Sequence, residues 1–174
     1  MNGPNRERSR ITIPVTAAIL TILVTYIARL WVERSLAYGV QIPLAGDFFR
    51  LSRGDNPGVA FGLFDGSPLV PWLTILALAV FALVLARPML GDRAGRAGLG
   101  LILGGGIANL LDRVGDGRVT DYLDAGLGAW RWPTFNLPDV AITTGLLLVL
   151  WALARDGRGQ PDADHAPAGG EKAP

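Results

Sequence analysis

The sequence contains no cysteine, and this absence excludes a large class of chemistry. Without a thiol there is no thiolate nucleophile, no thiolate metal site and no disulfide. The single histidine, His165, and the single lysine, Lys172, both lie in a C-terminal tail rich in Gly, Pro, Ala and Asp. A serine–histidine pair and a histidine-based zinc site are therefore not expected. If the chain is an enzyme, its proton transfers fall mainly to carboxyl groups.

Charged residues of either sign are scarce, and this scarcity indicates a membrane protein. Only 18% of the 174 residues are charged, 50% are hydrophobic, and the mean hydropathy is +0.35. A soluble domain of this length needs a more polar surface. The formal net charge is +1 and the arginines form no basic helix face, so nucleic-acid binding is not predicted.

Four apolar segments predict an all-α polytopic membrane protein with four transmembrane helices. The predicted spans are about residues 11–32, 67–86, 96–114 and 136–154. The first span follows a basic N-terminus, but it is too long for a secretory signal and has no clear cleavage site, so it is interpreted as an uncleaved helix. Arginines concentrate before the first span and between the second and third, which predicts that both termini are cytoplasmic.

The membrane-embedded part, residues 1–155, is predicted to form a single domain. Between the first two spans, strand-like segments at 39–43 and 48–52 alternate with turn signals, which predicts a small folded element on the outer membrane surface. The segment RVTDYLD, residues 118–124, also alternates like a strand. Residues 156–174 are predicted to form a disordered cytoplasmic tail, because they are rich in Gly, Pro, Ala and Asp.

The third and fourth apolar runs are too short to cross a bilayer without including acidic residues. Each contains 15 uncharged residues. At 1.5 Å per residue, each run covers roughly 22 Å of a hydrocarbon core about 30 Å thick. Full spans must therefore draw Asp112 and Asp139 into the same outer boundary, together with Asn109. An ionisable residue at that depth is costly and indicates a functional site.

Two carboxyl groups in a poorly solvated site cannot both ionise easily, because burial and like-charge repulsion each raise the energy of the doubly charged state. One group then keeps a proton while the other acts as a base. This arrangement hydrolyses a peptide bond by activating water, without a covalent intermediate. From the residues alone, several acids are candidates for such a pair, namely Asp112, Asp121, Asp124 and Asp139.

Each acid of this region also has a structural interpretation. Asp139 opens an apolar helix, which equally suits an N-terminal acid stabilised by the helix dipole. Asp112, beside Arg113, is interpreted as half of a structural ion pair at a helix end. Asp116 lies between glycines and is interpreted as a turn residue, and Asp124, before Ala-Gly, as a turn or loop acid.

The remaining polar and aromatic residues of the region also have two interpretations. Asn109 and Asn136 either orient the acids by hydrogen bonds, or cap and join helices. Gly104–Gly106 is followed by no Lys-Ser/Thr pair, so it is interpreted as a site of close helix packing. The residues interpreted as interfacial anchors are Trp72, Trp130, Trp132 and Tyr122.

Three motifs resemble, in order and spacing, those of bacterial lipoprotein signal peptidase, also called signal peptidase II. They are DNPGVAFGLF (55–64), GGGIANLLDRVGDGRVTDYLD (104–124) and WPTFNLPDVAI (132–142). The resemblance covers roughly residues 30–154. Any one motif alone would be weak evidence, whereas the combination of three is highly specific.

The resemblance implies an intramembrane aspartic endopeptidase of the bacterial cytoplasmic (inner) membrane. Such an enzyme removes the signal peptide from diacylglyceryl-modified prolipoproteins by cleaving before the lipidated cysteine. The implied fold has four transmembrane helices, with a small β-rich cradle and an amphipathic helix on the outer face. The implied catalytic pair is Asp121 and Asp139, and the residues that shape the site around it are Asn56, Gly58, Ala60, Phe61, Asn109, Asp112, Arg113 and Asn136.

The expected partners are the lipidated prolipoprotein substrate and membrane lipid. The protein is expected to be a monomer, and no metal ion or organic cofactor is predicted. The sequence departs from the family pattern late in the first helix, where Thr25, Tyr26 and Arg29 stand in place of Asp-Gln and a later Lys. The other departures are Val59 for alanine, Ala108 for glycine and Pro138 for alanine. None removes either implied catalytic carboxyl group, so an active enzyme is expected.

Two functions other than a peptidase are compatible with acidic residues in a membrane protein. A catalytically degenerate homologue that binds lipoproteins as a scaffold would tolerate loss of either acid, yet both are present. A proton or ion pathway would place acids at several depths in the membrane. Here the acids cluster on one side, which favours the peptidase.

Overall fold

The computed structural model describes residues 4–58, 64, 66–89 and 91–156. The described helices are α1 (Pro4–Ser35), α2 (Val70–Met89), α3 (Arg93–Asp116) and α4 (Leu137–Asp156). The described strands are β1 (Gln41–Ala45), β2 (Phe49–Asn56), β3 (Val119–Leu127) and β4 (Trp130–Arg131), which form an antiparallel sheet in the order β1-β2-β3-β4. The fold is therefore a helical bundle with a small sheet.

The order of the elements places the sheet at one end of the bundle. Strands β1 and β2 connect the end of α1 to the beginning of α2, and β3 and β4 connect the end of α3 to the beginning of α4. At the other end, α2 and α3 are joined by a short turn. Asp92 caps α3 there by accepting the N–H groups of Ala94 and Gly95.

Three of the four helices are long and apolar enough to cross a membrane. These are α1 from Arg10 onward, α3, and α4 as far as Arg155. The apolar segment of α2, Val70–Leu83, is shorter than these three. Helix α3 has 24 residues because it continues past its apolar run through Asp112 to Asp116. The helix therefore includes the polar residues Asn109, Asp112 and Arg113.

Helix α3 is the central helix, and glycines let the other three approach it. Gly98 and Gly105 face α4, and Gly100 and Gly104 face α1, while Gly106 meets the side chain of Leu78 in α2. A Cβ on Gly98 would lie 2.6 Å from the carbonyl oxygen of Gly145, and one on Gly104 would lie 2.8 Å from that of Ala18. Small residues at such contacts are typical of helix packing in membranes. The packing interpretation of Gly104–Gly106 is confirmed.

An apolar cluster joins the sheet to the end of α1. Val32 of α1 and Leu36, which directly follows α1, pack with Leu51 of β2 and with Tyr122 and Leu123 of β3. Tyr122 is only 3% exposed, and its hydroxyl accepts the N–H of Leu137. The prediction that Tyr122 is an interfacial anchor is therefore wrong, because its ring is buried in the cluster between α1 and the sheet.

The strands predicted from the sequence are present, with shifted ends. The segments expected at 39–43 and 48–52 correspond to β1 and β2. Residues 119–124 of the segment RVTDYLD form the first part of β3. Asp124 lies within β3, is 5% exposed, and accepts a 2.6 Å hydrogen bond from Arg131 Nε. Its assignment as a turn acid is wrong, because the chain turns later, at Gly128, where φ is 53°.

Gly98→Ala should destabilise the fold, because the new methyl group would meet the backbone of α4 rather than a side chain that can move. We expect a loss of roughly 1–3 kcal/mol, the usual range for overpacking. The measurement is thermal unfolding of the detergent-solubilised protein.

Gly115→Ala is the matched control, since it is the same substitution in the same helix and its Cβ would meet nothing within 4 Å. It should leave the midpoint unchanged or slightly raised, because alanine is the better helix former. If Gly98→Ala and Gly115→Ala unfold at the same temperature, the close packing of α3 on α4 does not carry stability.

Candidate active site

Asp121 and Asp139 are brought together through a single residue, Asn136. The Nδ2 group of Asn136 donates to Asp121 Oδ1 at 2.7 Å, and its backbone N–H donates to Asp139 Oδ2 at 3.2 Å. Asn136 is only 1% exposed, so both contacts are shielded from solvent. The two acids, one in the middle of β3 and one in the first turn of α4, therefore form one connected site.

The contacts of Asp139 combine both interpretations of this residue. Asn136 directly precedes α4, and its Oδ1 accepts the N–H of Asp139 at 2.9 Å, while Asp139 accepts the N–H of Asn136 in return. This reciprocal pair is a capping box, which satisfies N–H groups at the start of the helix. Pro138 fits here, because an N–H group in the first turn has no partner within the helix. Asp139 is thus both a helix-capping acid and a member of the carboxyl pair.

Two further asparagines complete the hydrogen bonds to the acids. Asn56, at the end of β2, donates from Nδ2 to Asp121 Oδ2 at 2.9 Å. Asn109 of α3 donates from Nδ2 to Asp139 Oδ1 at 2.9 Å. Each carboxyl group therefore receives two hydrogen bonds from amide groups, one to each oxygen. Asn109 and Asn136 therefore hydrogen-bond to the acids, which agrees with the interpretation that they orient them.

The guanidinium group of Arg113 supplies positive charge beside the pair. Arg113 is 8% exposed, and it donates to the carbonyl oxygen of Asn109 at 3.2 Å and to that of Gly58. Gly58 is in turn held by its N–H, which donates to Asn56 Oδ1 at 3.0 Å. The loop motif after β2 therefore reaches the site. Ala60 and Phe61, which the resemblance also assigned to the site, lie outside the described residues, as does Val59.

Asp112 does not pair with its neighbour Arg113, so that prediction is wrong. Its Oδ1 lies 2.8 Å from Arg29 Nε, and its Oδ2 accepts the backbone N–H of Thr120 at 2.9 Å. Adjacent residues on a helix point in different directions, which turns Arg113 toward the acids and Asp112 toward α1. Glu33 also contacts this cluster and was not singled out in the sequence. Its spacing from Arg29, four residues along a helix, is the one signal for it.

Burial dominates the electrostatics of Asp121, which lies in the sheet and outside the helices. The pKa of Asp121 is raised to about 6, with burial as the largest cause and the negative charge of Asp139 acting in the same direction. Hydrogen bonds from Asn56 and Asn136 and the positive charge of Arg113 oppose the shift. Asp121 therefore holds a proton into the mildly acidic range, where an exposed aspartate is fully ionised. A raised pKa on a buried carboxyl group beside a second carboxyl group is the pattern that a proton-sharing pair requires.

A mostly apolar cavity of about 680 Å³ opens beside Asp139, between α4 and the sheet. Aromatic side chains form its sheet side, and Val140, Thr143 and Thr144 form its helix side. The aromatic lining residues are Phe48, Trp132 and Phe135. A long apolar group can therefore lie next to the carboxyl pair.

Comparisons with known proteins agree on one family. Residues 17–155 match the sequence model of the family described as Signal peptidase (SPase) II. The chain is 41% identical over 138 residues to a lipoprotein signal peptidase of Gloeobacter violaceus, covering 77% of each chain. It is 36% identical over 158 residues to that of Dehalococcoides mccartyi, covering 86% of this chain and 94% of the relative. A third, from Moorella thermoacetica, is 34% identical over 137 residues, covering 78% and 89%.

Two solved structures, each titled as a bacterial membrane enzyme, share the fold. One, determined in meso at 1.9 Å resolution, superposes with a TM-score of 0.73 at 22% identity, covering 84% of this chain and 95% of the other. The second, at 2.3 Å resolution, has a TM-score of 0.70 at 21% identity and covers 87% and 93%. With the family match over most of the chain, these findings establish that the protein belongs to the signal peptidase II family of membrane peptidases.

Proposed function

We propose that this protein is an intramembrane aspartic endopeptidase that removes the signal peptide from diacylglyceryl-modified prolipoproteins, cleaving before the lipidated cysteine. The observation that supports it most strongly is the Asp121–Asn136–Asp139 arrangement, in which one buried residue holds two carboxyl groups. The relatives are named lipoprotein signal peptidases, which supports a lipidated substrate.

In the proposed mechanism, Asp121 and Asp139 share one proton and act as the catalytic residues. The ionised member takes a proton from a water molecule, which attacks the scissile carbonyl carbon, while the protonated member donates to the carbonyl oxygen. When the C–N bond breaks, the proton taken from water is delivered to the leaving amine, and the other carboxylate takes a proton back from a hydroxyl group of the tetrahedral intermediate. The pair then again holds one proton. Because no covalent intermediate forms, the chain's lack of cysteine and of a serine–histidine pair is no obstacle.

The surrounding amides hold this pair in place through the cycle. Asn56, Asn109 and Asn136 direct N–H donors at the carboxyl oxygens, which favours the ionised member, while burial and the second charge oppose double ionisation. Arg113 balances part of the remaining charge. The residues proposed to shape the site, besides the pair, are Asn56, Gly58, Ala60, Phe61, Asn109, Asp112, Arg113 and Asn136.

The proposed arrangement in the membrane has four spans, with α2 as the second, and the sheet on the outer side of the bacterial cytoplasmic membrane. Both termini are then cytoplasmic, and the amphipathic helix is proposed to lie with the sheet on the outer face. The carboxyl pair falls at the outer end of the apolar helices, where water and lipid meet. The apolar cavity beside Asp139 would receive the lipid chains of the substrate, which accounts for a peptidase built inside a bilayer.

Asp121→Asn and Asp139→Asn should each abolish turnover, because an amide can neither take the proton from water nor share it with the other acid. We expect losses of at least about 1,000-fold in kcat with the fold retained. The measurement is cleavage of a diacylglyceryl-modified prolipoprotein by purified protein in detergent, followed by gel shift or mass spectrometry.

The matched control is Asp116→Asn, the same substitution in an exposed acid, the last residue of α3, at the same end of the molecule. Asp116 accepts the N–H of Arg118, and an asparagine oxygen preserves this contact. This variant should cleave at the parental rate. Residual cleavage by Asp121→Asn or Asp139→Asn at a rate near that of Asp116→Asn would contradict an aspartic mechanism.

Cleavage should weaken as pH rises above the pKa of Asp121. The pair needs one proton, and Asp121, with its pKa raised to about 6, loses that proton at higher pH. We therefore expect kcat/KM to fall by about tenfold per pH unit well above pH 6. A rate profile for the parent and Asp116→Asn between pH 5 and 9 checks this, and a kcat/KM that stays constant up to pH 9 would show that the shared proton is not required.

A further inference from the structure

Thr120, the residue before Asp121, is held through its backbone N–H and its hydroxyl group. Its backbone N–H donates to Asp112 Oδ2 at 2.9 Å, and its hydroxyl donates to Glu33 Oε1 at 3.1 Å. Arg29 Nε lies 2.8 Å from Glu33 Oε1 and 2.8 Å from Asp112 Oδ1. These contacts close a ring across α1, α3 and β3, which we call the Thr120 ring, formed by Arg29, Glu33, Asp112 and Thr120.

The Thr120 ring is partly shielded from solvent, so its members depend on one another. The Asp112 side chain is 10% exposed and that of Glu33 is 24% exposed, while Thr120 is 8% exposed. Charge-assisted hydrogen bonds in such surroundings are stronger than neutral ones, and a charge left without its partner is costly. Removing one member therefore disturbs the other contacts to Thr120.

Strand β3 pairs with β2 from Val119 to Asp121, and the regular pairing is interrupted directly after Asp121. Asp121 lies opposite Gly54 and Leu123 lies opposite Leu51, so two residues of β2 face the single residue Tyr122. Such a bulge locally disrupts the ladder and bends the strand. Asp121 is thus the last regularly paired residue before the bulge, and its neighbour on the paired side, Thr120, is the residue that the ring holds.

We propose that the Thr120 ring positions Asp121 for the reaction. Glu33 and Asp112 clamp Thr120, and this clamp keeps the carboxyl group of Asp121 on the amide donors of Asn56 and Asn136. The inference rests on the proposed function of Asp121. Glu33 and Thr120 act through Asp121 and are positioning residues, whereas the hydrogen bonds of the carboxyl pair itself involve neither of them.

Thr120→Val removes the hydroxyl but keeps the shape and the backbone N–H, so it tests the contact with Glu33. We expect kcat to fall by about tenfold with KM within about twofold, because misplaced reacting groups lower turnover without changing uniform binding. Thr120→Ser restores the hydroxyl and should stay within about threefold of the parent. Glu33→Gln keeps a hydrogen-bond acceptor for Thr120 but weakens the ion pair with Arg29. Its kcat should therefore lie between those of Thr120→Val and Thr120→Ser.

The pH profile separates positioning from general destabilisation. If Asp121 moves off its amide donors, its ionised form loses hydrogen bonds, and the fall of kcat/KM with pH should shift to higher pH in Thr120→Val. The shift should disappear in Thr120→Ser. The matched control is Thr74→Val, which removes a hydroxyl bonded to the carbonyl of Val70 within α2 and should leave both kcat and the profile unchanged.

Hydrogen exchange tests the ring without substrate. The amide of Thr120 should exchange faster in Glu33→Gln and Thr120→Val than in the parent, measured by mass spectrometry on β3 peptides. A parent that cleaves no lipidated substrate would overturn the proposed function and the positioning role with it. An active parent whose kcat, pH profile and β3 exchange are all matched by Thr120→Val and Glu33→Gln would overturn the ring alone.

Discussion

The structure depends on keeping two carboxyl groups together where water is scarce. Asp121 is 5% exposed, and it shares the buried amide Asn136 with Asp139. Burial and like charge make the doubly ionised state of such a pair costly, which is the basis for proposing a single shared proton. The amides of Asn56 and Asn109 offset enough of this cost for one member to ionise. A pair balanced in this way can both take and give a proton, which is what peptide hydrolysis by water requires.

The rest of the fold maintains that geometry from three directions. Glycines along α3 bring α1 and α4 close, so the end of α3 and the start of α4 meet at the site. The sheet at that end contributes Asp121 from β3 and Asn56 from β2. The apolar cluster of Val32, Leu36 and Tyr122 fixes the sheet to α1. The same small residues that let helices pack in lipid therefore also bring Asn109 of α3 within hydrogen-bond distance of Asp139 in α4.

Hydropathy and spacing predicted the helices, and they predicted that Asp112 and Asp139 belong to the ends of helices, because short apolar runs must include their polar ends to span a bilayer. They did not separate Asp121 from Asp124, since both occur in one strand-like segment, and only the motif match chose between them. The partners of Asp112 and Arg113 were also missed, because contacts between helices leave no local signal. Asp124 was taken for a turn acid because Ala-Gly follows it, whereas the backbone turns at Gly128.

The most direct test of the account is whether the pair holds one proton in mildly acid conditions. Isotope-edited infrared spectroscopy of aspartate-labelled protein distinguishes a protonated carboxyl group from an ionised one. The parent protein should show a protonated aspartate signal that disappears as pH rises through about 6, and this signal should be absent from Asp121→Asn. A parent spectrum with no protonated aspartate below this pH, or one identical to that of Asp121→Asn, would contradict a shared proton and the aspartic mechanism built on it.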